Sequence, residues 1–217
     1  MKYMLHAYPG RMWYVRQFLI PSMLEQGISE ADITIWNDKD EKGNLTAWLE
    51  SIESIQDEPG GTWHIQDDVI ISRQFAKLTR EHDDGIVCGF FCRNFDLFSK
   101  PGVVPAHEQW YSFPCIRIPN EMIRPFLTWF KNVKGIDRYA QYVRENKHDD
   151  WFWKEYMRCD CKDLTALNLN PNLVDHIDYL LGGTLVNKGR LIAVNRAAFF
   201  PDNDLVDALE AKLKCGT

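Results

Sequence analysis

GTWHIQDDVI, residues 61 to 70, decides how the rest of the chain is read. After the turn formers Pro59-Gly60-Gly61, the run from Gly61 to Gln66 has the apolar and β-branched content of a strand. It stops at two adjacent aspartates, Asp67 and Asp68, and the pattern from Ser72 onward, RQFAKLTREH, predicts a helix that Ser72 would cap. A strand of a parallel sheet is covered on both faces. Two carboxylates side by side at its tip repel unless something cationic lies between them. A helix N-terminus also favours acids, so one aspartate as a cap and the other solvated is the plainer account. The alternative is a divalent cation that leaves coordination positions open for phosphate oxygens, which suits Mg²⁺ or Mn²⁺.

Outward from this stretch, short apolar runs alternate with helical spacing. YMLHAY (3–8) reads as a strand that breaks at Pro9-Gly10 and leads into a helix with Trp13, Phe18, Leu19 and Leu24 as its apolar residues. DITIW (32–36) is a strand ending at Asn37-Asp38, and NLTAWLESIESI (44–55) a helix with Asn44 as N-cap. GIVCGFFC (85–92) is a further buried strand. This order predicts an α/β fold, a single Rossmann-like domain whose mainly parallel central sheet carries helices on both faces. Such sheets bind ligands beyond the carboxyl ends of their strands, which singles out Tyr8-Pro9-Gly10-Arg11, Asn37-Asp38 and Gln66-Asp67-Asp68. Beyond residue 93 the pattern loosens. FDLFSKPGVVPAHEQWYS (95–112) reads as a long loop, FPCIRIP (113–119) as a strand, and NEMIRPFLTWFKNV (120–133) as a helix capped by Asn120. HDDWFWKEYM (148–157) reads as a short helix opened by acids, and NPNLVDHIDYLLGGTLVN (170–187) as irregular chain with a turn of helix.

Length and composition bound the possibilities. The chain has 217 residues and a net charge of -6, with no internal repeat. No run of about 18 uncharged apolar residues could span a bilayer. The first twenty residues lack the pattern of a secretory leader, and the six cysteines form no C-x-x-C pair. Mostly reduced, buried thiols in a cytoplasmic protein are expected. Cys159-x-Cys161 alone is weak evidence for zinc. Lys and Arg are scattered, without the basic stripe of a phosphate-backbone binder, which disfavours DNA as a substrate.

WHIQDDV resembles the acidic, metal-binding DxD-type signature of GT-A fold glycosyltransferases. WYSFPCIRIPNEMIRPFLTWF resembles the strand and helix after their acceptor loop, and HDDWFWKEYM the acidic helix start that often bears their catalytic base. PNLVDHIDYLLGG is similar to a P-S-L-V-x-H element whose histidine lies near the metal and diphosphate. The whole pattern, with its Pro9-Gly10-Arg11 turn, resembles small glycosyltransferase-like proteins of bacteriophages and prophages. Gln66 stands where many of these proteins place an acid, and Asn172 where serine is commoner.

The resemblance implies sugar transfer from a nucleotide diphosphate sugar, with a UDP-sugar favoured, to an acceptor hydroxyl. Residues 1–95 would form the nucleotide-binding half and 96–217 the acceptor half of one domain. Asp68, Asp67 and His176 would hold Mn²⁺ or Mg²⁺. Tyr8, Pro9, Gly10, Arg11, Asp38, Gln66 and Asp67 would line the donor site, with Arg11 on the diphosphate. Asp150, or Asp149, would be the general base of an inverting transfer, and Trp110 and Trp151 would stack on the acceptor. Other readings stay open. They are a phage-type enzyme acting on modified DNA bases, a nucleotidyltransferase or nucleotide-sugar hydrolase, and a non-catalytic binding module. An acceptor that is a saccharide or modified DNA is compatible with the sequence.

Overall fold

The computed structural model describes residues 1–89, 102–108, 114–146, 149–181 and 200–215. Seven strands form the central sheet: β1 Lys2–Ala7, β2 Ile33–Asn37, β3 Gly61–Gln66, β5 Ile86–Cys88, β6 Gly102–Pro105, β7 Cys115–Pro119 and β8 Thr165–Asn168. Their spatial order is β2-β1-β3-β7-β5-β8-β6. β1 pairs in parallel with β2 and β3, and β5 with β8. β7 lies antiparallel between β3 and β5, and β6 antiparallel outside β8. Five of the seven strands therefore run the same way. A separate antiparallel pair joins β4 Val69–Ile71 to β9 Val174–His176.

The helices are α1 Met12–Tyr14, α2 Ile20–Glu25, α3 Asn44–Glu53, α4 Phe75–Glu81, α5 Ile123–Val133, α6 Asp137–Glu145, α7 Asp149–Asp160 and α8 Asn203–Cys215. They divide between the two faces because strand side chains alternate. Tyr3, Leu5, Trp63 and Ile65 face one core, shared with Tyr14, Leu19, Met23 and Phe75 and closed by Val206 and Leu209 of α8. Met4, Ile116 and Ile118 face the other, packed by α3, α5, α6 and α7. There Phe126 lies 5.2 Å from Trp48 and 5.0 Å from Trp153, ring centre to ring centre. Central β3 is buried from Thr62 to Ile65, as a strand covered on both faces must be. The fold is thus α/β and Rossmann-like, as the alternation of segments predicts. Among the described residues, no helix is long and apolar enough to cross a membrane.

Several local expectations are corrected. The helix after Pro9 buries Tyr14, Val15, Leu19 and Met23, while Trp13 and Leu24 are exposed. A π-helical turn over Val15–Leu19 shifts its phase, with Ile20 N donating to Val15 O. It immediately precedes Pro21, which has no amide hydrogen to continue an α-helical ladder. Asp67-Asp68 leads first into β4, and α4 begins only at Phe75. Ser72 does not cap it; Gln26, 50 residues away, accepts from Ala76 N at 3.0 Å through its side-chain oxygen. Asn120 does not cap α5, because its amide group is used by Thr62 and the Glu58 carbonyl. Residues 102–108, expected within a long loop, form edge strand β6 and a short 3₁₀ turn. Residues 174–176, read as irregular, form β9. Cys88 and Cys115 are buried free thiols, whereas free Cys159 is exposed and free Cys161 half-buried.

The start of α3 also departs from expectation, because Gly43 (φ 91°) occupies the cap position and Asn44 is already helical. The orphan amides are met from another helix. Asn146 accepts from Thr46 N at 2.9 Å through its side chain and from Leu45 N at 3.4 Å through its carbonyl. Asn146 itself is left-handed at φ 53°, a conformation asparagine tolerates better than alanine. Asn146→Ala removes the cap and strains the backbone, so it is expected to lower stability by about 1–2 kcal/mol in urea unfolding. A loss below a few tenths would show that the tertiary cap is dispensable.

Candidate functional site

β1 and β3 are parallel neighbours with His6 opposite Gln66, so their carboxyl ends stop side by side. The chain then turns in both strands, and Tyr8 N donates to Asp67 Oδ2 at 2.6 Å. Pro9 opens a 3₁₀ turn through Arg11, and a side chain at Gly10 would collide with the Tyr8 ring at 2.8 Å. The turn sends Arg11 inward, where only 8% of it is exposed. Its Nη1 donates to Asp67 Oδ1 at 3.0 Å and to Asp68 Oδ2 at 2.6 Å.

From the other side, β9 places Val69 opposite His176, and Ile177 N donates to Asp68 O at 2.8 Å. His176 Nε2 consequently lies 3.1 Å from Asp68 Oδ1. Residues 8, 11, 67, 68 and 176 therefore meet in one buried group at the carboxyl end of the sheet.

The electrostatics follow from burial and partners. Burial, then the charge of Asp68, pushes Asp67 up to about 6 against the opposing pull of Arg11 and Tyr8 N. Burial acts on Asp68 in the same sense, but His176 and Arg11 outweigh it and hold Asp68 at about 2. Burial disfavours a charged His176, yet Asp68 and then Asp178 raise it above its ordinary value. Beneath the group, Tyr14 donates its hydroxyl to Val69 O at 2.8 Å.

Asp178 is the member that sequence reasoning missed. It lies 3.5 Å from His176 Nδ1 through Oδ1 and is 1% exposed. Nothing in the sequence distinguishes it from the other acids of residues 170–187.

Among the described residues, no three His, Cys, Asp or Glu side chains form a set able to hold a metal ion alone. Asp68 Oδ1 and His176 Nε2 offer two donors that a cation could share with substrate phosphate oxygens, the carboxylate suited to Mg²⁺ or Mn²⁺ and the imidazole to a softer ion. Arg11 occupies the neighbouring cationic position in the protein by itself.

Gln66 and Asp38 lie on the same sheet edge just outside the buried group, Asp38 N donating to Ala7 O at 3.0 Å, whereas the other candidates stand further along the chain. Gln66 closes β3, its backbone N donating to Pro114 O. Asp38 accepts from Lys42 N at 2.9 Å and Gly43 N at 3.1 Å, closing the turn after β2. Asp149 and Asp150 begin α7, close in sequence to Asn146, which packs on residues 42–46. Burial, then the charge of Asp150, pushes Asp149 up to about 7. Asp150 Oδ1 accepts from Trp151 N at 2.7 Å. Trp151 packs 4.2 Å from Tyr142 and 5.6 Å from Tyr139, within the aromatic cluster of α6 and α7. Trp110 lies outside the described residues.

No family model matches the sequence, and no curated protein matches it either. Among solved structures, the chain is similar to the crystal structure of A197 from STIV, with 11% identity over 80% of this chain and 83% of that one. The TM-score is 0.44, a distant likeness that assigns no activity.

Proposed function

We propose that the chain is a GT-A fold glycosyltransferase that moves a sugar from a nucleotide diphosphate sugar to an acceptor hydroxyl. The observation that carries this reading is the convergence of Arg11, Asp67, Asp68 and His176 at the carboxyl end of the central sheet. These residues come from three distant parts of the chain, and ligands of open α/β sheets bind at that edge.

The leaving diphosphate concentrates negative charge, and each group has a task towards it. Arg11 exchanges its aspartate partners for phosphate oxygens, which its planar fork suits. Asp67 stays on Tyr8 N and keeps the ends of β1 and β3 together. Mn²⁺ or Mg²⁺, held by Asp68 and His176, would supply the positive charge that stabilises the departing diphosphate. Asp149 or Asp150 is the base that takes the acceptor proton, and a carboxyl group titrating near neutrality suits that task. A UDP-sugar is the donor we favour, bound by residues 1–95, with a saccharide or modified DNA base as acceptor at residues 96–217.

A second reading is favoured by one observation: three of the four oxygens of Asp67 and Asp68 already accept hydrogen bonds inside the protein, and the fourth lies 3.1 Å from His176 Nε2. A group so closed suits a non-catalytic module that keeps the fold.

Thermal unfolding with UDP, GDP, CDP and ADP, each with and without Mn²⁺, separates the two. The transferase reading expects one nucleotide at about a hundred times its Kd to stabilise by about 2.7 kcal/mol, and only with metal. If millimolar nucleotide leaves the melting temperature unmoved in both conditions, the transferase reading falls and the module stands.

A further inference from the structure

Asp178 belongs to the 3₁₀ turn Asp178–Leu180, two residues beyond His176. Its side chain is buried, and neither carboxylate oxygen has a hydrogen-bond partner among the described residues. Leaving a carboxylate in that state is unfavourable unless a charge nearby compensates it. The described group that faces it is the His176 ring, whose Nδ1 lies 3.5 Å from Asp178 Oδ1. The opposite ring nitrogen, Nε2, lies 3.1 Å from Asp68 Oδ1. The imidazole thus stands between two carboxylates, one on each nitrogen.

Backbone pairing determines only part of this arrangement. The contacts of β9 with β4, together with Ile177 N on Asp68 O, fix where the backbone of His176 sits. They leave the ring free to turn about its own axis, and a turned ring would present carbon to Asp68 instead of nitrogen. A carboxylate on the far nitrogen removes that freedom, because in one ring orientation each nitrogen faces an acceptor and in the turned one neither does.

We infer that Asp178 is a positioning residue that holds the His176 ring with Nε2 directed at Asp68. The inference deepens the proposed function, since under that reading His176 and Asp68 receive the metal diphosphate. The positioning itself is a property of the free protein.

Asp178→Asn keeps the shape of the side chain and removes its charge. Nitrogen-15 NMR of the His176 ring in metal-free protein should show a defined proton position in the wild type and an altered or averaged one in the variant. With Mn²⁺ and UDP as the probe, the variant should bind about 10–100-fold more weakly than the wild type. An unchanged ring spectrum overturns the inference, whatever the protein does with nucleotides. A changed spectrum in a protein whose wild type ignores Mn²⁺ and UDP upholds the positioning and overturns the functional reading instead.

The His176→Gln background supplies a check that does not depend on the single variant folding. Without the imidazole, Asp178 becomes an uncompensated buried charge. His176→Gln/Asp178→Asn should then melt at a higher temperature than His176→Gln alone. An equal or lower melting temperature shows that the two side chains are not coupled and removes the basis of the inference.

Discussion

Replacing Arg11 by methionine is expected to remove about 3–5 kcal/mol of stability at pH 8 in metal-free protein, the usual result of stripping one partner from a buried ionic group. Methionine fills much of the same space, so the loss reports charge more than packing. Asp67 and Asp68 would be left adjacent, each 5% exposed, with the His176 ring 3.1 Å from Asp68. The pH dependence has a definite sign. Arg11 lowers both carboxyl groups, so its removal raises both in the folded state while the unfolded chain keeps ordinary values near 3.8. A raised folded value means that the native protein binds protons the unfolded chain does not, so stability declines as pH rises. Only below about pH 2, where Asp68 too is protonated in the wild type, does this penalty vanish. The deficit relative to wild type should grow from pH 5 to pH 8, when both proteins are unfolded by urea with EDTA present. A deficit under about 1 kcal/mol at pH 8, or one that is flat with pH, would mean that the guanidinium does not neutralise the pair.

The second large effect concerns chemistry. Asp68→Asn retains the side chain's size and its contact with Arg11, but gives up the anionic oxygen facing His176. Under the proposed function, release of UDP from a UDP-sugar in the presence of Mn²⁺ should slow about 10²–10³-fold, comparable to losing one group that stabilises charge in the transition state. Melting temperature should fall as well, because Asp68 is a charge partner of both Arg11 and His176, so turnover is read well below the variant's own transition. Asp57→Asn is the useful control, because Asp57 is an exposed partner of Arg124 that belongs to neither the donor nor the acceptor site. Turnover within threefold of wild type for Asp68→Asn would take Asp68 out of the mechanism.

Strand, turn and helix signals were enough to place Asp67-Asp68 and Arg11 at one sheet edge, because strand ends and turn formers are local features. His176 came from a short motif rather than from periodicity. What carries it to Asp68 is a pair of three-residue strands, too short for alternation to appear in the sequence. The tertiary caps were hidden for a different reason: Gln26 serves an amide 50 residues away, and Asn146 one 100 residues away. Helix α6 and strand β8 carry ordinary sequences without sharp boundary signals. Asp178 was illegible because its significance lies in isolation from water, which no neighbour in sequence announces. The acids at 149 and 150 were found as a pair, and their place at the start of α7 agrees with the sequence reading.

The β4–β9 pairing also bears on how this protein could be re-engineered. Because backbone hydrogen bonds set the separation between positions 68 and 176, that separation does not depend on which side chains stand there. The two positions form a socket of fixed gauge. Exchanging aspartate and histidine between them, or installing a pair of histidines or of cysteines, would change the hardness and charge of the donors while the gauge stays constant. Libraries restricted to these two codons would therefore sample ligand chemistry at one backbone spacing, each pair as stable as its balance of charge with Arg11 and Asp178 allows.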